Sequence, residues 1–218
     1  HRFPPAAAFV LGWLLAAIGL MHLGVRVNAE ASALAVLTLV TYLFIYTPMK
    51  QRSTLNTLVG AVSGAIPPVI GWVGAAGPHG LQPGMLRWEL FVQPQALFLF
   101  SLLFLWQLPH FLAINWMYRE EYIRGGFIMW SNDDPTGAKS ARLGLGWALP
   151  MLGLCIWPPL AGFTNVWFVI PSLAATLYLL RLCLVFRRTT ERADARRLFF
   201  ATLIYLPVML IALLATAR

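Results

Sequence analysis

The sequence predicts an all-α protein, a polytopic bundle of about seven transmembrane helices, and three observations predict it. Hydrophobic residues make up 59% of the 218-residue chain and charged residues 11%, with a mean hydropathy of +0.71. That is more apolar surface than a soluble core of this length can bury. The apolar residues come in runs near the roughly 20 residues that a bilayer core requires, separated by short polar loops. A β-barrel would instead show shorter, alternating segments. When the runs are threaded through a membrane, 13 of the 16 Lys and Arg residues fall on one side, an asymmetry that sets topology and marks that side as cytoplasmic. The net charge of +8 is therefore read as orientation and not as nucleic-acid binding.

The expected spans are 5–23, 31–47, 58–76, 95–116, 143–162, 166–186 and 198–215. In the first, His22 stands near the outer end, at an interfacial position. The second runs into Tyr46-Thr47-Pro48-Met49-Lys50-Gln51-Arg52-Ser53-Thr54-Leu55-Asn56, where the proline and hydroxyl residues mark a turn. Lys50 and Arg52 read either as topology anchors or, beside helix-end backbone donors, as a site for phosphate oxygens. The third span carries Gly60 and Gly64, a spacing that lets helices approach closely. It also carries Pro67 and Pro68 at mid-membrane. Pro68 lacks an amide hydrogen and crowds the preceding turn, so a kink or opening is expected, either to pack or to line a cavity. The outer loop 77–93, with Pro78, His79, Gly80, Pro83 and Gly84, reads as a turn-rich cap without chemistry.

The fourth span holds Trp106-Gln107-Leu108-Pro109-His110-Phe111 and runs through Asn115-Trp116 to Arg119-Glu120-Glu121-Tyr122-Ile123-Arg124-Gly125-Gly126. Polar groups at membrane depth are costly and usually face a cavity or a partner. At about 100° per residue, Gln107, His110 and Glu121 share a sector of about 60° if the helix continues that far. Asn132-Asp133-Asp134-Pro135 reads as turn and helix-cap chemistry, with metal binding as the alternative. The fifth and sixth spans read as scaffold, and their Cys155 and Cys183 as packing residues. Arg187, Arg188, Arg192, Arg196 and Arg197 read as a loop facing anionic lipid. The last span carries Tyr205 and Pro207.

Two loops on one side thus offer Lys50 and Arg52, and Arg119, Glu120, Glu121 and Arg124. Carboxylates that hold Mg²⁺ and cations that take the remaining oxygens suit a diphosphate at a membrane surface. The apolar bundle beneath suits a hydrophobic tail, and aromatic faces can stabilise an allylic cation. That combination describes a membrane prenyltransferase.

The run from Tyr46 to Lys50 with Arg52 and Asn56, the segment Gly60 to Trp72 with Pro67-Pro68, and Trp106 to Phe111 with Trp116, Arg119, Tyr122 and Gly125-Gly126 together resemble the protohaem IX farnesyltransferases (haem O synthases). These are a branch of the UbiA-type intramembrane prenyltransferases. Arg197-Leu198-Phe199-Phe200 with Tyr205 and Pro207 resembles the start of that family's last span, so the similarity covers most of the chain. The resemblance implies a nine-helix bundle, farnesyl diphosphate and haem B as substrates, Mg²⁺, and a product with a hydroxyethylfarnesyl substituent. It also implies a multi-pass location in a bacterial plasma membrane or mitochondrial inner membrane, with the active face on the cytoplasmic or matrix side. Haem A synthase or oxidase assembly factors would be partners.

Carried over by position, Lys50, Arg52, Asn56, Arg119, Tyr122 and Arg124 would bind diphosphate. Glu121, Lys50 and Arg119 would be catalytic, and Glu121 with Glu120 would hold the metal. His110, Gln107 and Trp106 would lie near the haem. The chain departs from the family's pattern in three places. Glu121 stands where Asp is usual, and Gln51 where Arg is usual. The first aspartate-rich motif is missing, so 1–218 is expected to be one prenyltransferase domain comprising the third to ninth spans, inactive by itself. The rival readings are a UbiA-type enzyme for an aromatic quinone precursor, and a non-catalytic haem-binding membrane protein.

Overall fold

The computed structural model describes residues 4–77, 80 and 86–218. Arg2 and the expected turn residues Pro78, His79, Pro83 and Gly84 lie outside them. Among the described residues, seven helices are long and apolar enough to cross a membrane. They are α1 (Pro5–Val27), α2 (Ala29–Met49), α3 (Asn56–Ala76), α4 (Pro94–Met117), α5 (Ala138–Leu160), α6 (Val166–Thr189) and α7 (Arg192–Thr216). All seven expected spans are present. The main differences are that α5 and α7 start about a turn or more earlier than their apolar runs, because polar residues are recruited to their first turns on the basic side.

Local chemistry sets the ends. Pro5 and Pro94 stand in first turns, where a missing amide hydrogen costs nothing. Asn28 caps α2, its side chain accepting from Ala31 N at 2.8 Å. The Asp134 carboxylate caps α5, accepting from Lys139 N at 3.2 Å and Ser140 N at 2.7 Å. The expected cap reading of this acidic pair therefore holds for Asp134, while Asp133 is exposed. Between α4 and α5 lies a short helix, Arg119–Arg124.

Helix α4 is the hub. It packs on α3 to one side and on α5 and α7 to the other, and α6 closes the ring of α4 to α7. The larger core sits within that ring, around Phe98, Leu102, Met151, Phe168, Phe186 and Met209. A smaller one joins α2, α3 and α4 toward the other end, around Ala31, Val69, Val73 and Ala96. Helix α1 touches chiefly α2, and almost none of its residues is buried in the chain.

The glycine pair of α3 has two different neighbours. A Cβ on Gly60 would lie 2.8 Å from the Tyr46 ring of α2, and one on Gly64 would overlap Gln107 Oε1 of α4. Helix α3 continues through Pro67 and Pro68 without opening. Pro67 is exposed and Pro68 partly so, and neither borders the cavity described below.

The ends opposite the basic loops are tied by groups that composition alone does not single out. Glu30 is 4% exposed and accepts from both Arg87 N at 3.1 Å and Arg87 Nε at 3.2 Å. Asn28 Nδ2 donates to Val73 O at 2.8 Å. Cys155 and Cys183 are buried free thiols, as expected. The Cys155 Sγ lies 3.2 Å from Thr176 Oγ1, which lies 3.2 Å from the Tyr205 hydroxyl. This short polar chain joins α5, α6 and α7.

Candidate active site

The two loops singled out in the sequence meet at one end of the bundle. Ile128 N donates to Lys50 O at 2.7 Å. Asn56 Nδ2 donates to Ile128 O at 2.7 Å and to Ser53 O at 2.6 Å. Both amide hydrogens of Asn56 thus hold backbone, so its side chain clasps the loops and leaves only Oδ1 for anything else.

Beneath this clasp is a cavity of about 150 Å³. Its polar wall is Tyr46, Lys50, Asn56, Thr57, Asn115 and Tyr122, and its apolar wall is Phe111, Phe127 and Met129. Three of the residues expected to bind diphosphate, Lys50, Asn56 and Tyr122, therefore share one wall. The backbone of α2 widens into a π-helical turn over Thr41–Tyr46, a feature frequent at functional sites. Tyr42 and Tyr46 pack there with their rings tilted at 48° and their centroids 5.1 Å apart. The Lys50 ammonium stands 4.5 Å from the Tyr46 ring centroid and 5.7 Å from that of Tyr42. Aromatic faces thus hold the cation in place without neutralising it. Burial raises the Tyr122 phenol above its usual range, with Tyr118 nearby adding to the shift. Tyr122 stays protonated at neutral pH, a donor for an anionic oxygen.

The remaining expected residues stand elsewhere. Arg52 is exposed and outside the cavity wall. Arg119 Nη1 donates to Asp134 O at 2.8 Å, and its guanidinium lies 5.0 Å from the Trp116 ring. It fastens the following loop onto the end of α4. Gly137, at φ 80°, lets that loop turn directly against Trp116: a Cβ there would come within 2.8 Å of the indole. Glu120 is exposed. Glu121 and Arg124 form a loose pair at 3.9 Å, with side chains 53% and 74% exposed.

Glu121 does not continue the face of Gln107 and His110. Helix α4 ends at Met117, and Tyr118 leaves helical geometry at φ −114°, ψ 27°, so the helical phase is reset. Nor do Gln107 and His110 share neighbours. Gln107 Nε2 donates to Leu103 O at 2.9 Å and to Ala61 O of α3 at 3.4 Å. His110 faces α7, with Nδ1 2.8 Å from Thr202 Oγ1. Trp106 Nε1 donates to Thr202 O at 2.6 Å.

As a metal site, the donor set fits in part. Among the described residues no three His, Cys, Asp or Glu side chains converge. A magnesium ion carried in with a diphosphate needs only one or two protein carboxylates, and Glu121 is half-exposed and only loosely paired.

Tyr46 and Asn115 are among the cavity residues to which the sequence reading gives no role. Tyr46 was legible only as part of its motif. Asn115 is 4% exposed and borders the cavity. Its side-chain amide has no hydrogen-bond partner among the described residues. A lone asparagine at a helix end gives no signal of that kind in sequence.

Residues 1–204 match the UbiA prenyltransferase family. The chain is 38% identical over 226 residues to a protohaem IX farnesyltransferase of Anaeromyxobacter sp., covering 100% of this chain and 69% of that protein. It is 38% identical over 211 residues to the mitochondrial protohaem IX farnesyltransferase of Pyricularia oryzae, covering 94% and 38% respectively. To the mitochondrial enzyme of Homo sapiens it is 36% identical over 217 residues, covering 100% and 46%. The chain thus spans less than half the length of these mitochondrial relatives. A solved structure of digeranylgeranylglyceryl phosphate synthase superposes with a TM-score of 0.77 at 14% identity, covering 98% of this chain and 70% of that one. Fold, motifs and relatives agree: the chain belongs to the UbiA prenyltransferase family and groups within it with the protohaem IX farnesyltransferases.

Proposed function

We propose that the chain carries the active face of an enzyme that transfers a farnesyl group from farnesyl diphosphate to a vinyl group of haem B. The product is haem O, for terminal oxidase assembly. The observation that carries the proposal is the cavity at the basic end, where Lys50 and Tyr122 stand above Phe111, Phe127 and Met129, in a chain whose relatives are protohaem IX farnesyltransferases.

The chemistry follows from those side chains. Lys50 and the Tyr122 hydroxyl, with the unpartnered Asn115 amide, bind and orient the diphosphate oxygens. Mg²⁺, when bound, neutralises charge on the leaving diphosphate, and Glu121 is the carboxylate that would hold it, with Glu120 diverging on the short helix. As the farnesyl C1–O bond breaks, its electron pair leaves with the diphosphate, and the vinyl π electrons form the new C–C bond. Water adds to the resulting cation and loses a proton, which gives the hydroxyethylfarnesyl substituent. Aromatic faces at the cavity stabilise the allylic cation and keep water from it before the vinyl arrives. Arg119 and Asn56 act by holding the loops together, and Arg52 and Arg124 by raising the local positive potential. The 13:3 distribution of basic residues supports an active face on the cytoplasmic or matrix side of a bacterial plasma membrane or mitochondrial inner membrane.

The test is product analysis by mass spectrometry. The chain, supplied with the N-terminal segment of a complete relative, is incubated with farnesyl diphosphate and Mg²⁺, with either haem B or an aromatic acid as acceptor. A haem product heavier by one farnesyl group and one hydroxyl supports the proposal. Prenylation of the aromatic acid alone favours a quinone-type enzyme, and haem binding without any transfer favours a haem carrier.

A further inference from the structure

We infer that Thr202 fixes His110 in the tautomer whose Nε2 carries a bare lone pair, and that this nitrogen is the axial ligand for the iron of the haem substrate. The inference rests on the haem reading above and deepens it.

The hydrogen bonds decide the tautomer. A threonine hydroxyl has one hydrogen. In Thr202 that hydrogen goes to Phe199 O at 2.5 Å, one turn back in α7, because a carbonyl oxygen can only accept. Toward His110 Nδ1, at 2.8 Å, the same hydroxyl must therefore accept. Nδ1 carries the proton, and Nε2 in the neutral ring does not. Thr202 is itself held from the other side, since its carbonyl accepts from Trp106 Nε1 at 2.6 Å. Its hydroxyl is 0% exposed with the rest of the residue, so water does not compete for it.

The ring is also fixed in orientation. Trp106 stacks on it at 5.1 Å with an interplanar angle of 21°, and Phe199 at 4.9 Å with 29°. Stacking occupies ring faces and Thr202 occupies the Nδ1 edge, which leaves the Nε2 edge. Nε2 has no hydrogen-bond partner among the described residues, and His110 as a whole is 9% exposed. The neighbouring ring of Phe111, 5.7 Å away, belongs to the cavity wall.

An oriented neutral imidazole that donates through one nitrogen and presents the other is the arrangement of a metal-ligating histidine, in which the outer hydrogen bond fixes the tautomer and raises ligand basicity. A structural histidine in an apolar bundle would be expected to satisfy both nitrogens. Of the metals in this reading, Mg²⁺ prefers oxygen, whereas haem iron takes an axial imidazole.

The experiment titrates the full chain in nanodiscs with haem B. It follows the Soret band and EPR of the ferric form, and the iron–imidazole stretch of the ferrous form by resonance Raman. The wild type should show a histidine-ligated haem. His110→Ala should lose that signature, and added imidazole should restore it. His110→Gln gives the same reading should the alanine variant not fold. Thr202→Val should weaken haem binding by about 10–100-fold and lower the iron–imidazole stretching frequency, while Thr202→Ser should keep both. A His110→Ala spectrum identical to wild type would overturn the inference while leaving haem as the acceptor. Unchanged affinity and frequency in Thr202→Val would overturn the role of Thr202. A wild type that binds no haem yet prenylates an aromatic acid would remove the functional reading and the inference together.

Discussion

At the level of single residues, the site separates groups that present chemistry from groups that hold the backbone. Asn56 belongs with the second. Its two hydrogens go to Ser53 O and Ile128 O, so Asn56→Asp places a carboxylate against two carbonyls that have lost their donor. Losing two hydrogen bonds to partly buried acceptors costs about 0.5–1.5 kcal/mol each. The expected result is a lower thermal midpoint together with weaker substrate binding, read by thermal unfolding of the two proteins side by side. A variant that loses activity with unchanged stability would instead place Asn56 on the substrate. Glu121 makes the opposite case. Its pair with Arg124 spans 3.9 Å between half- and mostly exposed groups, an interaction worth about 0.2–1 kcal/mol. In a chain completed with the N-terminal segment of a relative, Glu121→Gln should therefore abolish farnesyl transfer and leave the thermal midpoint in place, because an amide replaces a magnesium-binding carboxylate poorly. Near-normal turnover in that variant would reduce Glu121 to its surface pair.

Among the helices, α3 shows how a small-residue stripe positions a site on its neighbours. Gly60 has no side chain because Tyr46 stands there, and Gly64 none because Gln107 does. Gly60→Ala must push the Tyr46 ring, and with it the aromatic face over which Lys50 sits. Overpacking of this kind costs about 1–3 kcal/mol and here should also weaken diphosphate binding. Gly71→Ala on the same helix meets nothing within 4 Å and should be neutral or stabilising, since glycine in a helix interior costs roughly 0.5–1 kcal/mol relative to alanine. Equal effects of the two substitutions on affinity for farnesyl diphosphate would show that Tyr46 does not transmit the change.

Across the whole molecule, both basic loops lie at one end, joined through Lys50, Asn56 and Ile128. Cysteines placed at Gln51 and Asp133, both exposed, should react with a membrane-impermeant maleimide from the same side. The buried Cys155 and Cys183 should contribute little background. Labelling from opposite sides would separate the two loops and dismantle the site. Ser131 would be a poor probe for this purpose: it is fully buried, and its hydroxyl is bonded to Asn115 O at 2.9 Å.

The helical class, the seven spans and the shared side of the loops follow from the sequence because they depend on quantities summed over many residues. A run of twenty apolar side chains crosses a bilayer whatever its neighbours do, and thirteen cations on one side outweigh any single exception. The motifs also carried the family and the members of the cavity wall, Lys50, Asn56 and Tyr122. What each side chain does there was decided only by tertiary contacts. The face on which Glu121 lies depended on one residue, Tyr118, leaving helical geometry. Whether Asn56 serves substrate or backbone depended on Ile128, 72 positions away. The direction of the His110 proton depended on a hydroxyl 92 positions away. A hydrogen bond is short and directional, so the role of a polar group belongs to whatever partner the folded chain brings within about 3 Å, and no local pattern encodes that partner.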